Sequence, residues 1–346
     1  KSPSLLPLRR VRFFEQDMQE DAKIAQFNAT YEYSEALTLK AGAKFARTER
    51  SLDAEQTEYA PAGSPTMTLG SDPSLTDGGF VNDSGAGNVP NIWLDIDAMN
   101  RYFAANPGRF TLNTASTFTA GRASDYDLTE DIFAGYVMAT LERGPLQTIG
   151  GVRVEATNVD SSGYLLQGSA SADRVNSGGD YTEVLPALLV NYRPDDAWVV
   201  RGAITRAMGR PGYDAIAPRS TYGENGAIGT LSIGNPDLVA RKSWNYDASV
   251  EWYPTPLTAL SVSVFYKDIS DELTGDTVSY STQTDMQAAL AARGISGIDT
   301  SGLTRLDVST TINAGSATLK GLELNAQTQF SFLPGWLDGF GASATL

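Results

Sequence analysis

The connections between strand-like segments alternate strictly in length along this chain, and this alternation limits the folds available to it. Segments with a two-residue hydrophobic period meet in pairs at tight connections rich in Gly, Pro, Asp and Ser, and long polar stretches separate the pairs. The sequence therefore predicts an up-and-down sheet with tight turns at one end and large loops at the other. The tight connections lie at residues 34–36, 143–145, 194–196, 254–256 and 333–338, and the long stretches at 51–129, 160–180, 207–242 and 269–307.

The strand-like segments carry apolar side chains on one face and polar side chains on the other. In residues 244–252, for example, Trp244 and Val250 alternate with Asp247 and Glu251. Soluble sheets with one buried face share this alternation, but here the aromatic residues cluster near the tight turns, as in the interfacial girdle of a membrane barrel. We therefore predict an all-β, antiparallel transmembrane β-barrel whose long extracellular loops contain short helices. The girdle residues are Tyr31, Tyr33, Tyr192, Trp198, Trp252, Tyr253, Phe330 and Phe332.

Spanning strands of about ten residues would number about ten and leave most of the chain in loops. Their charged faces must point into the barrel lumen, because an arginine facing lipid near the midplane costs about 2–4 kcal/mol. These lumen-facing side chains contact a polar solute or a domain inside the barrel, or they pair with one another across neighbouring strands. They are Arg153, Glu155, Arg201, Asp247, Glu251 and Glu323.

Composition excludes several functions. The net charge of −15 disfavours nucleic acid as a partner. Histidine and cysteine are both absent, which removes Ser-His and Cys-His nucleophiles, the usual zinc sites, haem and iron–sulfur ligation and disulfides. The first long stretch is acidic, but its aspartates do not follow the spacing of a calcium loop. We predict no catalytic residues, no metal site and no cofactor.

Several short motifs in the second half of the chain carry a family resemblance. They are Arg210-Pro211, Gly234-Asn235-Pro236-Asp237-Leu238, Asn245-Tyr246-Asp247, Glu251-Trp252-Tyr253 and Phe265-Tyr266-Lys267-Asp268-Ile269. Their order and spacing resemble the barrel of TonB-dependent outer-membrane receptors of Gram-negative bacteria. The resemblance implies a 22-stranded barrel around an N-terminal plug domain, with ligand uptake driven by the TonB complex. Residues 1–346 show no plug-like segment, no TonB-contact motif and no final strands, so we interpret them as part of one barrel domain.

Two of the long stretches contain candidate ligand-binding residues. Residues 92–103 have a helical period in which Ile96, Met99 and Phe103 share a face, and the remaining surface offers side chains to a ligand. A second helix is predicted at 285–293, with Asp285 as its N-cap. Packing alone also explains both helices, and turn formation explains the Gly-Asn-Pro-Asp motif. The candidates are Trp93, Asp95, Arg101 and Tyr102 in the first loop, and Tyr213, Tyr222 and Asn235 in the third.

The leading hypothesis is a receptor embedded in outer-membrane lipid that binds a scarce ligand at its outer loops and imports it. An oligosaccharide, a siderophore and a cobalamin-like molecule all remain open, and acidic, aromatic loops without a basic patch favour a neutral glycan. A passive porin or a smaller self-contained barrel is the main alternative. A secreted carbohydrate-binding sandwich is another, whereas a membrane hydrolase is disfavoured because the chain has no histidine.

Overall fold

The computed structural model describes residues 7–62, 68, 75–77, 93–168, 171–331 and 333–346. The strands, in chain order, are β1 (Val11–Ser34), β2 (Leu37–Pro61), β3 (Thr76–Asp77), β4 (Trp93–Leu94), β5 (Phe110–Leu112), β6 (Tyr126–Arg143), β7 (Leu146–Leu166), β8 (Ala172–Asp195), β9 (Trp198–Gly209), β10 (Ser220–Asn225), β11 (Ile228–Ile233), β12 (Arg241–Thr255), β13 (Thr258–Ser270), β14 (Leu273–Tyr280), β15 (Arg305–Asn313), β16 (Ser316–Gln329) and β17 (Gly341–Thr345). The α-helices are α1 (Ile96–Ala105), α2 (Thr114–Arg122), α3 (Tyr213–Ile216) and α4 (Gln283–Ala291), and 3-10 helices lie at Pro107–Arg109 and Gly335–Gly339.

One large sheet forms the body of the molecule. Ten of its strands follow the path β1-β2-β6-β7-β8-β9-β12-β13-β16-β17 with antiparallel neighbours, and β5 pairs with β2 beside this path. This up-and-down order is the one that the alternating connections predicted. The predicted antiparallel, up-and-down sheet is thus confirmed.

The tight turns lie at one end of the large sheet and follow local chemistry. Gly144, between β6 and β7, has a φ of 55°, which a hairpin turn requires and glycine adopts without strain. Between β8 and β9, the Asp195 carboxylate accepts hydrogen bonds from the amides of Ala197 and Trp198 at 2.8 and 3.0 Å. These short-range interactions explain why the turns were visible in the sequence.

The apolar faces of neighbouring strands align into one continuous surface. Val200, Val250, Val262 and Leu324 lie in a single row across β9, β12, β13 and β16. Val262 is 47% exposed and Leu324 is 36% exposed, and no second sheet covers this row within the described residues. A soluble sandwich would bury these side chains, so the exposed row indicates a surface that faces lipid.

Polar positions define the upper edge of this apolar band. On β2 the band runs from Leu37 to Phe45, nine residues, which matches the length of a tilted membrane-spanning strand. The next outward position is Arg47, whose guanidinium pairs with Asp131 on β6 at 2.7 Å. The equivalent outward positions are Lys23, Arg47, Asp131, Asn158 and Asp180 on β1, β2, β6, β7 and β8.

The strands continue well beyond this edge, and here the expectation of ten-residue strands and a chain composed mostly of loop is wrong. β2 has 25 residues and β7 has 21. The residues expected to form a loop at 160–180 instead extend the β7–β8 hairpin. Above the membrane the inner faces of these strands pack against folded loops, so extended pairing remains favourable there.

The aromatic girdle is present with one correction. The rings of Trp198 and Trp252 stack on the apolar face with their centroids 5.7 Å apart. Tyr253 was expected beside them, but it follows Glu251 by two positions and shares the polar face, where its hydroxyl donates to Glu251 at 2.6 Å. Phe332 lies outside the described residues.

The loops at the other end fold into three hydrophobic clusters. The first places α1 against the ends of β1 and β2, and the second places α3 against β2, β6 and β7. The third joins α4 to a four-stranded sheet with the order β10-β11-β15-β14. Across the described ranges, no helix has both the length and the apolar character needed to cross a bilayer.

The two predicted loop helices form with altered details. Ile96, expected on the packed face of α1, is 70% exposed, whereas Met99, expected on the same face, is buried together with Ala98. The N-cap of α4 is Thr282 rather than Asp285. Its hydroxyl accepts a hydrogen bond from the Asp285 amide at 3.1 Å and donates one to the Asp285 carboxylate. Thr282 and Asp285 therefore cap the helix together, as in a capping box, with Asp285 inside the first turn.

Candidate functional site

A segment of the third loop, residues 210–219, folds back onto the polar face of the sheet at the large-loop end. Arg210 anchors it through two carboxylates, with its Nη2 atom 2.5 Å from Glu155 and its Nε atom 3.6 Å from Glu130. Glu130 is 4% exposed, and Glu155 is also buried. Buried carboxylates are stable only when they are paired, so the loop cation and the strand carboxylates stabilise one another.

Tyr213 strengthens this attachment. Its hydroxyl donates to Glu130 at 3.1 Å, and the Arg50 guanidinium lies 5.6 Å from its ring centroid. Burial, together with the nearby charge of Glu130, raises the pKa of Tyr213 to about 12. The phenol therefore stays protonated and able to donate at physiological pH.

Apolar contacts and a second arginine complete the contact. Ile216 and Ala217 are buried in a cluster with Leu52, Tyr126, Leu128 and Val159 of the sheet. Arg219 donates to the Ser124 carbonyl at 3.2 Å, and its guanidinium lies 5.4 Å from the centroid of the Tyr126 ring. The segment is therefore packed onto the polar face at the large-loop end of the sheet, and we call this end the mouth.

The six residues predicted to face the lumen all lie on the polar face. Arg153 pairs with Glu155 on its own strand at 2.6 Å, and Arg201 forms an ion pair with Glu251 on the neighbouring strand β12. The ion pair expected between neighbouring strands is thus formed by Arg201. Glu155 instead pairs with Arg153 on its own strand and with Arg210 of the loop. Asp247 and Glu323 are exposed on the same face.

The first-loop candidates occupy structural positions around α1. The Asp95 carboxylate accepts from the Ala98 amide at 2.9 Å as the N-cap, and the Tyr102 ring meets Phe110 edge-on at 6.4 Å. Arg101 is exposed on the helix surface. Trp93 lies in β4, and its side chain is outside the described part of the structure.

The remaining candidates lie in the third loop. The Tyr222 hydroxyl donates to Glu224 at 2.8 Å while its ring packs against the α4 cluster, and burial with the Glu224 charge raises its pKa. The Asn235 amide donates to the Thr311 carbonyl at 3.0 Å. Together with Tyr213, these side chains belong to separate parts of the mouth, so the seven candidates do not converge on one pocket.

Two buried carboxylates, Glu130 and Glu183, were not predicted from the sequence. Glu183 is paired with cations in the same way as Glu130. Its oxygens lie 3.0 Å from Arg206 and 3.3 Å from Lys242. Glu183 lies in the part of β8 that is not paired with β9. The pairing of these two strands ends at Ala187, and the preceding Pro186 has no amide hydrogen to donate to a further hydrogen bond. Glu130 and Glu183 both occupy polar positions of the two-residue period, and extending that period above the membrane would have found them.

In the part of the chain that the structure describes, no three acidic side chains come together as a metal site would require. The buried carboxylates Glu130, Glu155 and Glu183 are instead paired with arginine and lysine side chains. A wide antiparallel sheet with a lipid-facing band and a folded, polar mouth is typical of an outer-membrane β-barrel.

The family comparison makes this class specific. Residues 2–346 match the family described as TonB dependent receptor-like, beta-barrel, and the chain belongs to that family. The resemblance seen in the sequence motifs is thereby confirmed, together with a location in the outer membrane of a Gram-negative bacterium. No curated protein matches the chain.

The chain is similar to solved structures, and OprC shares its fold. The copper transporter OprC has a TM-score of 0.52 at 14% sequence identity, and the alignment covers 92% of this chain and 36% of OprC. The ferric yersiniabactin uptake receptor FyuA from Yersinia pestis has a TM-score of 0.48 at 14% identity, covering 92% and 34%. The chain thus spans about a third of the length of these structures.

Proposed function

We propose that the chain forms part of an outer-membrane receptor that captures a scarce ligand at its folded outer mouth and imports it with energy from TonB. The observation that carries this proposal is the loop segment 210–219, which is packed onto the polar face by Arg210 and Tyr213. A passive pore needs an open mouth, whereas a capture site needs an ordered one. A plug domain and the TonB complex are the partners that the family implies.

We further propose that the chain acts in transport and not in catalysis. The buried carboxylates Glu130, Glu155 and Glu183 are satisfied as ion pairs, so their charges stabilise the mouth and are not available as catalytic acids or bases. Asp247 and Glu323, exposed on the polar face, are available to a plug domain or to a passing polar solute.

For the ligand, a neutral oligosaccharide is the class that we favour over a siderophore or a cobalamin-like molecule. The aromatic and amide side chains suit the faces and hydroxyl groups of sugars. The contacts remain a proposal, and the exposed Arg101 is the candidate with the least structural role. The proposed contact residues are Trp93, Asp95, Arg101, Tyr102, Tyr213, Tyr222 and Asn235.

Uptake by a deletion strain tests the proposal. The strain, with and without the complementing gene, is grown on neutral oligosaccharides as carbon source and separately on iron chelates as iron source. We expect uptake that depends on the gene and stops when the proton-motive force is dissipated. Uptake that continues without the proton-motive force would identify a passive porin, and uptake confined to iron chelates would remove the glycan.

A further inference from the structure

The four-stranded sheet of the mouth has one covered face and one open face. Leu231, Leu306 and Val308 point to α4 and form a cluster with its buried residues Met286 and Leu290. The side chains that alternate with them point away from α4. Within the described residues, this opposite face of β10, β11, β15 and β14 consists of exposed and half-buried side chains.

The open face carries two aligned rows of small polar residues. The first row crosses all four strands as Thr221, Ser232, Ser309 and Thr277. The second row crosses them as Gly223, Thr230, Asp307 and Ser279. With strands about 4.8 Å apart, each row extends over about 14 Å. We call these eight residues the hydroxyl face.

The hydroxyl face is almost free of net charge, although the chain as a whole has a net charge of −15. Its only ionisable member is Asp307, and Arg305, two positions before it on the same side of β15, neutralises it at 2.9 Å. The Asp307 carboxylate also accepts from the Ser279 hydroxyl at 2.6 Å. Exposed sheet faces usually carry interspersed charged side chains. Here serine and threonine replace them, and each hydroxyl both donates and accepts hydrogen bonds.

The hydroxyls are held in place before any ligand arrives. The Thr277 and Ser309 hydroxyls are 2.9 Å apart, and the Thr230 hydroxyl donates to the Gly223 carbonyl at 3.1 Å. Asn313 fixes the end of the same sheet, because its side chain bonds to both the amide and the carbonyl of Val239 at 2.9 and 3.0 Å. A rigid array loses little conformational entropy on binding.

From this array we propose that the hydroxyl face is a docking surface for a neutral glycan chain, laid flat across the four strands. The match is chemical: a neutral glycan presents rows of hydroxyls that donate and accept, as this face does, and has no net charge to be desolvated. The face would bind an anionic ligand less well, because the Asp307 carboxylate repels it and no unpaired cation of the face attracts it. The proposal rests on the proposed receptor function and names its ligand class.

Direct binding by the purified full receptor in detergent tests this proposal. The probes are a panel of immobilised neutral hexasaccharides, of the malto-, cello- and xylo- series, with oligogalacturonate as the anionic comparison. The test variant combines Ser232→Ala, Thr277→Val and Ser309→Ala, which remove three hydroxyls of one row. We expect wild type to bind at least one neutral probe more tightly than oligogalacturonate, and the variant to lose about tenfold or more in affinity.

Two further variants separate a binding role from a folding role. Thr274→Val removes an exposed hydroxyl on β14 that points to the opposite face, so binding should be unchanged. The pair Ser232→Thr and Thr277→Ser keeps the hydroxyls and should retain most of the affinity. Protease resistance of the loops is compared for all variants, and it should match wild type.

The outcomes distinguish this inference from the proposed function. Gene-dependent, energy-dependent uptake with equal glycan binding by wild type and the triple variant would overturn the hydroxyl face and leave the receptor function standing. Binding lost only in the triple variant, with uptake that needs no proton-motive force, would support the face and overturn the TonB-driven role. Absence of binding to every neutral probe, or preference for oligogalacturonate, would also overturn the inference.

Discussion

Arg210 connects the loop in the mouth to the wall of the barrel, and two buried carboxylates depend on its charge. The substitution Arg210→Met keeps most of the side-chain volume but leaves Glu155 and Glu130 without this cation. We expect the free energy of unfolding to fall by about 3 kcal/mol. This is the lower end of the range for a broken buried ion pair, because the Arg210 side chain is still 28% exposed. Denaturant unfolding of the purified receptor in detergent measures the change.

A matched arginine at the surface provides the control. Arg241 pairs with Glu272 at 3.0 Å, and both side chains remain accessible to water. Arg241→Met should cost less than about 1 kcal/mol, as exposed ion pairs do. Similar losses for the two variants would show that the Arg210 pairs have no special structural role.

Tyr213 makes the stability of the mouth sensitive to alkaline pH. Its pKa in the folded protein is about 12, raised by burial and by Glu130, whereas a tyrosine in the unfolded chain titrates near 10. A raised pKa stabilises the fold fully below the unfolded value, and this contribution is lost as pH rises through the folded value. Stability should therefore fall between about pH 10 and pH 12.

The variant Tyr213→Phe isolates this effect. It removes the titrating phenol, so the part of the alkaline destabilisation that comes from Tyr213 should disappear. The difference between the tyrosinate absorbance titrations of wild type and variant should show one group ionising near pH 12. A difference titration with its midpoint near pH 10 would mean that the Tyr213 phenol is neither buried nor hydrogen-bonded to Glu130.

At the scale of single strands, β13 and β16 have two faces with opposite tolerance to charge. Val262 and Leu324 are neighbours on the apolar face, and Ser263 and Glu323 are neighbours on the polar face. Val262→Arg or Leu324→Arg should impair membrane insertion, at a cost of about 2–4 kcal/mol each near the midplane. Ser263→Arg and Asn325→Arg should insert normally, because their side chains reach the polar side.

Heat-modifiable migration of the barrel in outer-membrane fractions measures this insertion. The adjacent positions make each pair a close control, since the mutated residues share one strand and one depth. Equal damage at Val262 and Ser263 would show that the faces have been assigned the wrong way round.

At the scale of the whole molecule, the apolar band and the two ends of the sheet give the protein a defined position in the membrane. The absence of native cysteine allows single cysteines to report this position cleanly. Glu49 lies above the band and faces outward, Val137 lies within the band, and Asp196 lies in a tight turn at the other end.

A membrane-impermeant maleimide applied to intact cells should label Glu49→Cys and neither of the other two variants. Permeabilised cells should add labelling of Asp196→Cys, while Val137→Cys stays unreactive because a thiol in lipid does not ionise readily. Labelling of Asp196→Cys but not Glu49→Cys in intact cells would place the large loops on the periplasmic side and contradict the proposed orientation.

Local periodicity was sufficient to predict the sheet, its tight turns and the faces of its strands. Trp244 and Val250 could be assigned to lipid because the two-residue period and the turn residues act over neighbouring positions. The same rules missed how far β2 and β7 extend. The error at Tyr253 came from grouping aromatic residues by their distance from a turn, because the two-residue period itself places Tyr253 on the polar face with Glu251.

The candidate site was much less predictable. Tyr213 was recognised as an aromatic loop residue, yet its partner Glu130 lies 83 positions away, and Arg210 reaches carboxylates on two different strands. The sequence by itself determined which face of each strand contacts lipid and which contacts water, because this assignment depends on the alternation of apolar and polar side chains over a few neighbouring residues. Only the tertiary structure decided which loop charges meet buried carboxylates and which hydroxyls align across strands, because those contacts join segments that are distant in the chain.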